Sequence, residues 1–250
     1  MKRGSVEFEM TPPPPRPSSR SPQLTLEIAP DPGFERENFI VSESNSKAFA
    51  MIELWPDWPD PLLLLLGPPG AGKSHLGAIW AATASAQQQV AAALQTADIQ
   101  TLAGAPLLLE DGEAIGDAEA KLFHLINLMR ERHQPLLITA KAPPEAWGMK
   151  TADLLSRLRL SPAVEIGLPD DALIRAVLVK LLVDRQLMID TNVVDYIALR
   201  LDRSLDAARS FIAALDRESL ARHQRISKAI AADVFAILSG GADHEPQPEG

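Results

Sequence analysis

The sequence of 250 residues contains no cysteine. Disulfides and thiolate metal sites are therefore excluded, and a reducing compartment is favoured. No apolar run approaches the length of a membrane-spanning helix, and the first residues lack the apolar stretch of a secretory signal. These absences predict a cytoplasmic protein without a membrane partner, and the 46% hydrophobic content is enough for a packed core.

Basic residues are outnumbered: Lys plus Arg number 24 against 33 Asp plus Glu, a formal net charge of -9. Proteins that hold DNA through its phosphates usually carry a basic patch, and no Lys/Arg cluster stands out in the sequence. Direct, sequence-specific DNA binding is therefore not the favoured interpretation. A basic patch assembled only by the fold would escape inspection of the sequence.

The sequence does contain a glycine-rich segment between an apolar run and a helix-compatible run. Residues 67–76 read GPPGAGKSHL, which has the spacing of a P-loop, and five leucines precede them. Glycines allow successive backbone N–H groups to turn towards one phosphate. We expect Lys73 to reach the outer phosphates and the Ser74 hydroxyl to hold Mg²⁺, at the positive end of a helix. The alternative is a Gly/Pro turn after a buried strand.

A second apolar run, residues 106–112, ends in two carboxylates. In a P-loop fold we expect this strand to lie beside the P-loop strand and to present an acid to Mg²⁺. Glu110 then falls at the metal position, and Asp111 at the position that polarises an attacking water. The alternative is a strand end with two solvated acids. Residues 135–141 form a further strand of the buried type, whose polar end is placed to contact phosphate or water.

The pattern of elements changes near residue 169. Before it, strands alternate with helices, which predicts a parallel α/β sheet and includes a possible strand at residues 90–94. After it, only helices are predicted, over residues 170–186, 192–201, 204–220 and 226–238. The proline- and serine-rich residues 1–22 and the tail 240–250 are expected to be disordered.

Two segments before the P-loop carry open alternatives. Residues 23–28, QLTLEI, alternate as an edge strand would, and they also suit a linear peptide whose leucines enter a partner's pocket. Apolar residues of the segment 34–58 are placed to pack either on an adenine ring or in the core.

The order of these motifs resembles that of AAA+ ATPases, more narrowly the DnaA family, and within it the short Hda-type regulators. The resemblance covers about residues 23–239. It implies a three-layer AAA+ α/β domain over residues 32–168, a helical lid over residues 169–239, and ADP or ATP with Mg²⁺ as cofactors. The nucleotide-binding residues that it implies are Phe39, Ile40, Gly67, Pro68, Pro69, Gly70, Ala71, Gly72, Lys73, Ser74, His75 and the sensor 2 arginine, Arg203.

The resemblance also assigns roles in hydrolysis. Thr139 falls at sensor 1, and Arg157 falls at the arginine finger. Without the resemblance, Arg157 and Arg203 read as surface arginines. Glu110 replaces the usual aspartate, so weak or no intrinsic hydrolysis is expected. The implied catalytic residues are Arg157, Asp111 and Thr139, and the implied metal ligands are Ser74 and Glu110.

The function implied by the resemblance is regulatory. The chain stops after the lid, without the DNA-binding domain of DnaA, and residues 23–28 are similar to a sliding-clamp-binding peptide. The implied activity is hydrolysis of DnaA-bound ATP together with the DNA-loaded clamp of DNA polymerase III, which prevents re-initiation. An autonomous ATPase such as a helicase loader is the alternative, and a small-molecule kinase is disfavoured by the helical bundle. Homo-oligomerisation stays open. The clamp-binding residues are Gln23, Leu24, Leu26 and Ile28.

Overall fold

The computed structural model describes residues 34–240. The predicted tails and the peptide of residues 23–28 therefore lie outside the described residues. The strands are β1 (Leu62–Leu66), β2 (Gln87–Val90), β3 (Leu107–Glu110), β4 (Leu136–Ala140) and β5 (Ala163–Glu165). The helices are α1 (Ser46–Glu53), α2 (Lys73–Ala84), α3 (Ile99–Leu102), α4 (Glu119–Glu131), α5 (Ala152–Leu160), α6 (Asp171–Asp184), α7 (Thr191–Ala198), α8 (Leu205–Arg222) and α9 (Lys228–Gly240).

The five strands form one parallel sheet in the order β2-β3-β4-β1-β5. The P-loop strand β1 lies near the middle, with Leu64 opposite Ile138 of β4 and Ala163 of β5. Because β4 pairs with both β1 and β3, the expectation that the strand of Glu110 adjoins the P-loop strand is wrong. The chain returns through β4 into the position between them, so Thr139 stands opposite Leu65 instead.

Helices cover both faces of the sheet, which confirms the predicted three-layer architecture. All five residues of β1 are buried, as expected for a parallel strand that is covered on both sides. Leu63 and Leu65 pack with residues of α1 and α2. The alternate residues of β1 join a separate cluster with residues of α4 and α5. The period of two along the strand thus sends neighbouring leucines into different cores.

The last four helices build a third hydrophobic core of their own, which confirms the all-helical C-terminal part. Its fully buried members include Leu178, Ile197, Phe211 and Val234, one from each of α6 to α9. None of the helices within residues 34–240 is long and apolar enough to cross a membrane.

One predicted strand is wrong. The structure has β2 at Gln87–Val90, and Ala91–Gln95 form a 3-10 helix. The edge strand carries glutamines, which give no apolar pattern in the sequence, and every second residue of it is exposed. Ala91 and Leu94, spaced three apart, are both buried, as one face of a 3-10 turn requires.

Candidate functional site

The P-loop is folded around the side chain of Lys73. Lys73 is the first residue of α2, and only 8% of it is exposed. Its Nζ atom donates hydrogen bonds to the carbonyl oxygens of Gly67, over 2.7 Å, and Pro68, over 3.0 Å. Gly70 (φ 69°) and Gly72 (φ 105°) take left-handed conformations that glycine adopts without strain. The sequence therefore supplies glycine where the loop turns around the ammonium group.

The ammonium group of Lys73 lies in a mixed electrostatic environment. Burial lowers its pKa from the ordinary value of 10.5, and the carboxylates of Glu113 and Asp111 act in the opposite direction. The ammonium of Lys141 adds to the lowering, and Asp206 of α8 opposes it. The site therefore gathers charged groups from the carboxyl ends of β3 and β4 and from the helical part around one buried cation.

Two of the predicted catalytic residues contact each other at the ends of β3 and β4. The backbone N–H of Asp111 donates to Thr139 Oγ1 over 3.3 Å. Asp111 has a left-handed backbone (φ 54°), while Thr139 is 2% exposed. Glu110 is the last residue of β3 and is half-buried. The structure thus brings Asp111, Thr139 and Lys73 to one end of the sheet.

The donor set fits a nucleotide phosphate and a magnesium ion by its chemistry. The loop offers backbone N–H groups and an ammonium, as phosphate sites do. The exposed hydroxyl of Ser74 and the carboxylate of Glu110 are oxygen ligands of the kind that Mg²⁺ binds together with water and phosphate. Among residues 34–240 no group of three or more His, Cys, Asp or Glu could hold a metal alone, so Mg²⁺ would need the phosphates as ligands.

The segment before α1 packs against the P-loop helix through His75. Nε2 of His75 lies 3.1 Å from the carbonyl oxygen of Glu35, and because a carbonyl only accepts, Nε2 carries the proton. Burial lowers the pKa of His75 from its ordinary 6.5, so the ring is neutral near pH 7. Phe34 and Phe39 pack against the ring, with centroids at 5.3 and 5.2 Å. Ile40 instead packs against the helical core.

The helical part touches the P-loop directly. The backbone N–H of Leu205, the first residue of α8, donates to the carbonyl oxygen of Gly70 over 2.8 Å. A Cβ atom placed on Gly70 would come within 2.0 Å of the Ser204 hydroxyl. The helical C-terminal part therefore contacts the phosphate loop itself. In the P-loop, Pro69 is exposed and Ala71 is buried.

The two arginines assigned by resemblance have partners outside the P-loop. Arg203 forms an ion pair of 2.9 Å with Asp171, and its side chain is 58% exposed. The guanidinium of Arg157, on α5, lies 4.7 Å from the ring centroid of Phe123. Within the described part of the chain, Arg157 forms no ion pair with a carboxylate. Among residues 34–240, neither arginine side chain forms a hydrogen bond or an ion pair with the P-loop.

Sequence reasoning missed Glu113 as a member of the site. Its Oε1 atom lies 3.2 Å from Nζ of Lys141, and its Oε2 atom accepts the backbone N–H of Lys141. Glu113 follows the predicted acidic pair by two positions, in a 3-10 turn rather than in the strand. The acidic residues after β3 were the signal in the sequence that could have indicated Glu113. Its carboxylate reaches the site because of the 3-10 turn Gly112–Ala114.

The sequence matches no protein-family model and no curated protein. Solved structures are similar to it. Domain III of the replication initiation protein DnaA from Thermotoga maritima has a TM-score of 0.71 at 18% identity, covering 83% of this chain and 97% of that one. AMPPCP-bound DnaA from Aquifex aeolicus has 0.65 at 21%, covering 74% and 66%. The Holliday junction branch migration motor RuvB from Thermotoga maritima has 0.64 at 19%, covering 82% and 72%. The match spans about two thirds of the DnaA chain from Aquifex aeolicus, and this chain has the AAA+ fold that the DnaA and RuvB structures share.

Proposed function

We propose that this protein is a nucleotide-binding AAA+ protein of the DnaA type that acts as a regulator in replication. The observation that carries nucleotide binding is the P-loop itself, folded around a buried lysine at the carboxyl end of a central parallel strand. A similar solved structure, DnaA of Aquifex aeolicus, is bound to AMPPCP. ADP or ATP with Mg²⁺ is the ligand that this arrangement supports, in a cytoplasmic protein.

A bound nucleotide would supply the phosphoanhydride bond, and Mg²⁺ would offset the negative charge of its phosphates. Lys73 and the loop N–H groups would bind the phosphates, while Ser74 and Glu110 would hold the ion. Phe39, whose ring packs edge-on against His75, and Ile40 would lie beside the base. Arg203 would join the site by exchanging its ion pair with Asp171 for a phosphate. The exchange would break a surface ion pair, which costs about 1 kcal/mol or less.

The regulatory role is supported by the placement of Arg157. Its guanidinium is held over Phe123 and, within residues 34–240, is not neutralised by a carboxylate. A cation that is fixed but not neutralised is suited to contact the phosphates of another protein, and an arginine supplied in trans stabilises transition-state charge. We propose DnaA-bound ATP as its target, with residues 23–28 (Gln23, Leu24, Leu26 and Ile28) bound to the DNA-loaded sliding clamp. DnaA-bound ATP would then be converted to ADP, and replication would re-initiate less often.

An autonomous ATPase is the second candidate. It is favoured by the hydrogen bond between Asp111 N–H and Thr139, because this bond places an acid and a polar residue together in the chain's own site. In that case Asp111 would orient a water for attack on ATP bound by the same chain.

Hydrolysis of DnaA-bound ATP with DNA-loaded clamp distinguishes these functions. We expect the protein to stimulate it, and we expect Arg157→Ala and a Gln23→Ala/Leu24→Ala double variant to lose stimulation. Arg159→Ala is the matched control, because Arg159 lies on the same helix and pairs with Glu145 on the surface. No stimulation, together with ATP hydrolysis by the protein alone that Lys73→Ala abolishes, would establish the autonomous ATPase instead.

A further inference from the structure

Basic side chains cluster where α8 ends and α9 begins. Arg217 and Arg222 belong to the last turns of α8, Arg225 lies in the connecting turn, and Lys228 is the first residue of α9. All of them are exposed, and residues 220–225 are exposed without interruption. We call Arg217, Arg222, Arg225 and Lys228 the basic corner.

The turn that carries the basic corner is closed by hydrogen bonds. The backbone N–H of Gln224 donates to the carbonyl oxygen of Ser219 over 3.3 Å, and the Ser219 hydroxyl donates to that of Gln224 over 2.9 Å. The guanidinium of Arg222 pairs with Glu218 of α8 over 3.0 Å and with Asp233 of α9 over 2.5 Å. The backbone of the corner is therefore fixed between the two helices.

Most of the positive charge in the basic corner is not neutralised. Among residues 34–240, Arg217, Arg225 and Lys228 form no ion pair and no side-chain hydrogen bond, since Arg222 takes both nearby carboxylates. Every other Lys and Arg of the helical part pairs with a carboxylate or lies over a tyrosine ring: Arg175, Lys180, Arg185, Arg200, Arg203 and Arg209. Only the fold decides which cations are paired, so the sequence does not distinguish the corner.

Helix stability does not account for the basic corner. Lys228 is the first residue of α9, and the first turn of this helix contains no acidic residue. The N-terminal end of a helix carries a partial positive charge, so a cation there opposes the helix dipole. Residues that break a local preference without a compensating contact are expected where function requires them. The missing counter-charge points to an anion outside the chain.

The chemistry of the basic corner favours the phosphates of a nucleic acid duplex. Arginine predominates in it, and the planar guanidinium fits a phosphate group. Residues 217–228 include no Phe, Tyr or Trp on which unpaired bases could stack. Leu220 is the one large apolar side chain exposed in this stretch, because Ile226 is only 7% exposed. A membrane surface is bound through a broader apolar face.

We propose that the basic corner binds the phosphate backbone of double-stranded DNA without reading its sequence. This goes beyond the proposed function, because the contact requires neither nucleotide nor DnaA. The whole chain has a formal net charge of -9, which repels DNA at long range. The corner would therefore hold DNA that is already close, such as the DNA inside the clamp of the proposed function.

The test is the fluorescence anisotropy of short labelled duplexes of two unrelated sequences, titrated with the full chain at several salt concentrations. We expect both duplexes to bind equally well. The logarithm of the affinity should fall with the logarithm of the salt concentration with a slope of about -3, because each of the three unpaired cations contributes about -0.9.

The variant Arg217→Ala/Arg225→Ala/Lys228→Ala removes the unpaired charges. We expect it to bind DNA at least about tenfold more weakly than the wild type at low salt and to lose most of the salt dependence. The variant Arg217→Lys/Arg225→Lys, which keeps the charges, should bind within about threefold of the wild type.

The matched control is Arg175→Ala/Lys180→Ala/Arg185→Ala. It removes the same number of positive charges from the helical part, at positions that are paired with carboxylates. We expect its affinity for DNA to change by less than about twofold. Equal losses in the corner variant and in this control would overturn the proposal, because net charge would then govern binding. Thermal unfolding of each variant identifies any loss of binding that comes from loss of the fold.

The remaining outcomes concern the identity of the partner. A wild-type protein that binds neither duplex at low salt would overturn the proposal. Vesicles of phosphatidylcholine and phosphatidylglycerol that bind the wild type but not the corner variant, without binding of DNA, would assign the corner to an anionic membrane instead. Because no assay here contains DnaA or a nucleotide, failure of this inference leaves the proposed function standing, and the reverse also holds.

Discussion

The backbone N–H of Leu205 donates a hydrogen bond of 2.8 Å to the carbonyl oxygen of Gly70. This bond joins the first residue of α8 to the phosphate loop, and the Ser204 hydroxyl stands against the same glycine. The helical C-terminal part thus bonds to the carbonyl oxygen of Gly70, while Nζ of Lys73 bonds to that of Gly67. The shape of the P-loop therefore depends on contacts made by both parts of the chain.

Gly70→Ala is expected to be destabilising for two reasons. Alanine is strained by about 1 kcal/mol or more at a left-handed φ, and its Cβ atom would meet Ser204. Gly116→Ala is the matched control, because Gly116 also has a positive φ but nothing lies within 4 Å of its Cβ position. Urea unfolding should show a loss for Gly70→Ala that is larger by about 1–3 kcal/mol. Equal losses of unfolding free energy in the two variants would show that Ser204 moves aside at no measurable cost.

The central sheet should respond strongly to a cavity at Leu108. This leucine of β3 is fully buried and packs with residues of α2. Leu108→Ala should lower the free energy of unfolding by about 2–5 kcal/mol, and Leu160→Ala, at a position that is 83% exposed, by less than about 0.5 kcal/mol. Denaturant titrations of both variants provide the measurement. A small effect at Leu108 would contradict the packing described for this face of the sheet.

The side chain of Asn45 joins two backbone groups of the preceding loop instead of capping α1. It stands at the N-cap of α1 without capping it: its side chain accepts the N–H of Ser42 over 2.9 Å and donates to the carbonyl of Ile40 over 3.0 Å. Because Asn45 is 2% exposed, Asn45→Ala should leave both groups unsatisfied and cost about 2 kcal/mol, measured by thermal unfolding. Asn192→Ala, at an exposed position, should be nearly neutral. Similar melting of the two variants would rule out the bridge.

The contribution of the α6 cap to the free energy of unfolding should depend on pH. Asp170 accepts the N–H of Leu173 over 2.7 Å, and this bond lowers the pKa of its carboxyl from the ordinary 3.8. A carboxyl with a lowered pKa in the folded state stabilises fully above about 3.8 and loses its contribution as the pH falls through the lowered value. Asp170→Ala should therefore cost about 1 kcal/mol near pH 7, and less at pH 3 to 4.

The measurement for Asp170 is the difference in unfolding free energy between wild type and variant at each pH. Asp190→Ala is the control, since Asp190 stands at the N-cap of α7 without a side-chain cap bond. A difference for Asp170→Ala that stays constant across the pH range would contradict the assignment.

The parts of the fold with strong local signals were predicted from the sequence. The run from β1 through the P-loop into α2 combines apolar residues, glycines and a helix former in one continuous stretch, so local physics specifies it. The strands ending at Glu110 and Ala140 follow from the same rule. Strand β2 does not, because glutamines on an exposed edge carry no hydrophobic period.

Glu113, the site residue that the sequence analysis missed, depends on a contact between residues distant in sequence. Glu113 and Lys141 are 28 positions apart, and only the parallel pairing of β3 with β4 and the indole of Trp147 bring them together. The stacking of Arg157 on Phe123 likewise joins α5 to α4. Such pairs leave no spacing in the sequence that a pattern could detect. The roles assigned to Arg157 and Arg203 remain predictions.

Strand β1 consists of leucine alone, and this has a consequence for how the sheet aligns. Sliding the strand by one residue along its neighbours would still place a leucine at four of its five positions, so the leucine side chains specify the register only weakly. The alignment must be set at the two ends, where Leu136 N–H donates to Pro61 and Gly67 N–H donates to Ala140. The first glycine of the phosphate loop, Gly67, thus also helps to fix the register of the central strand.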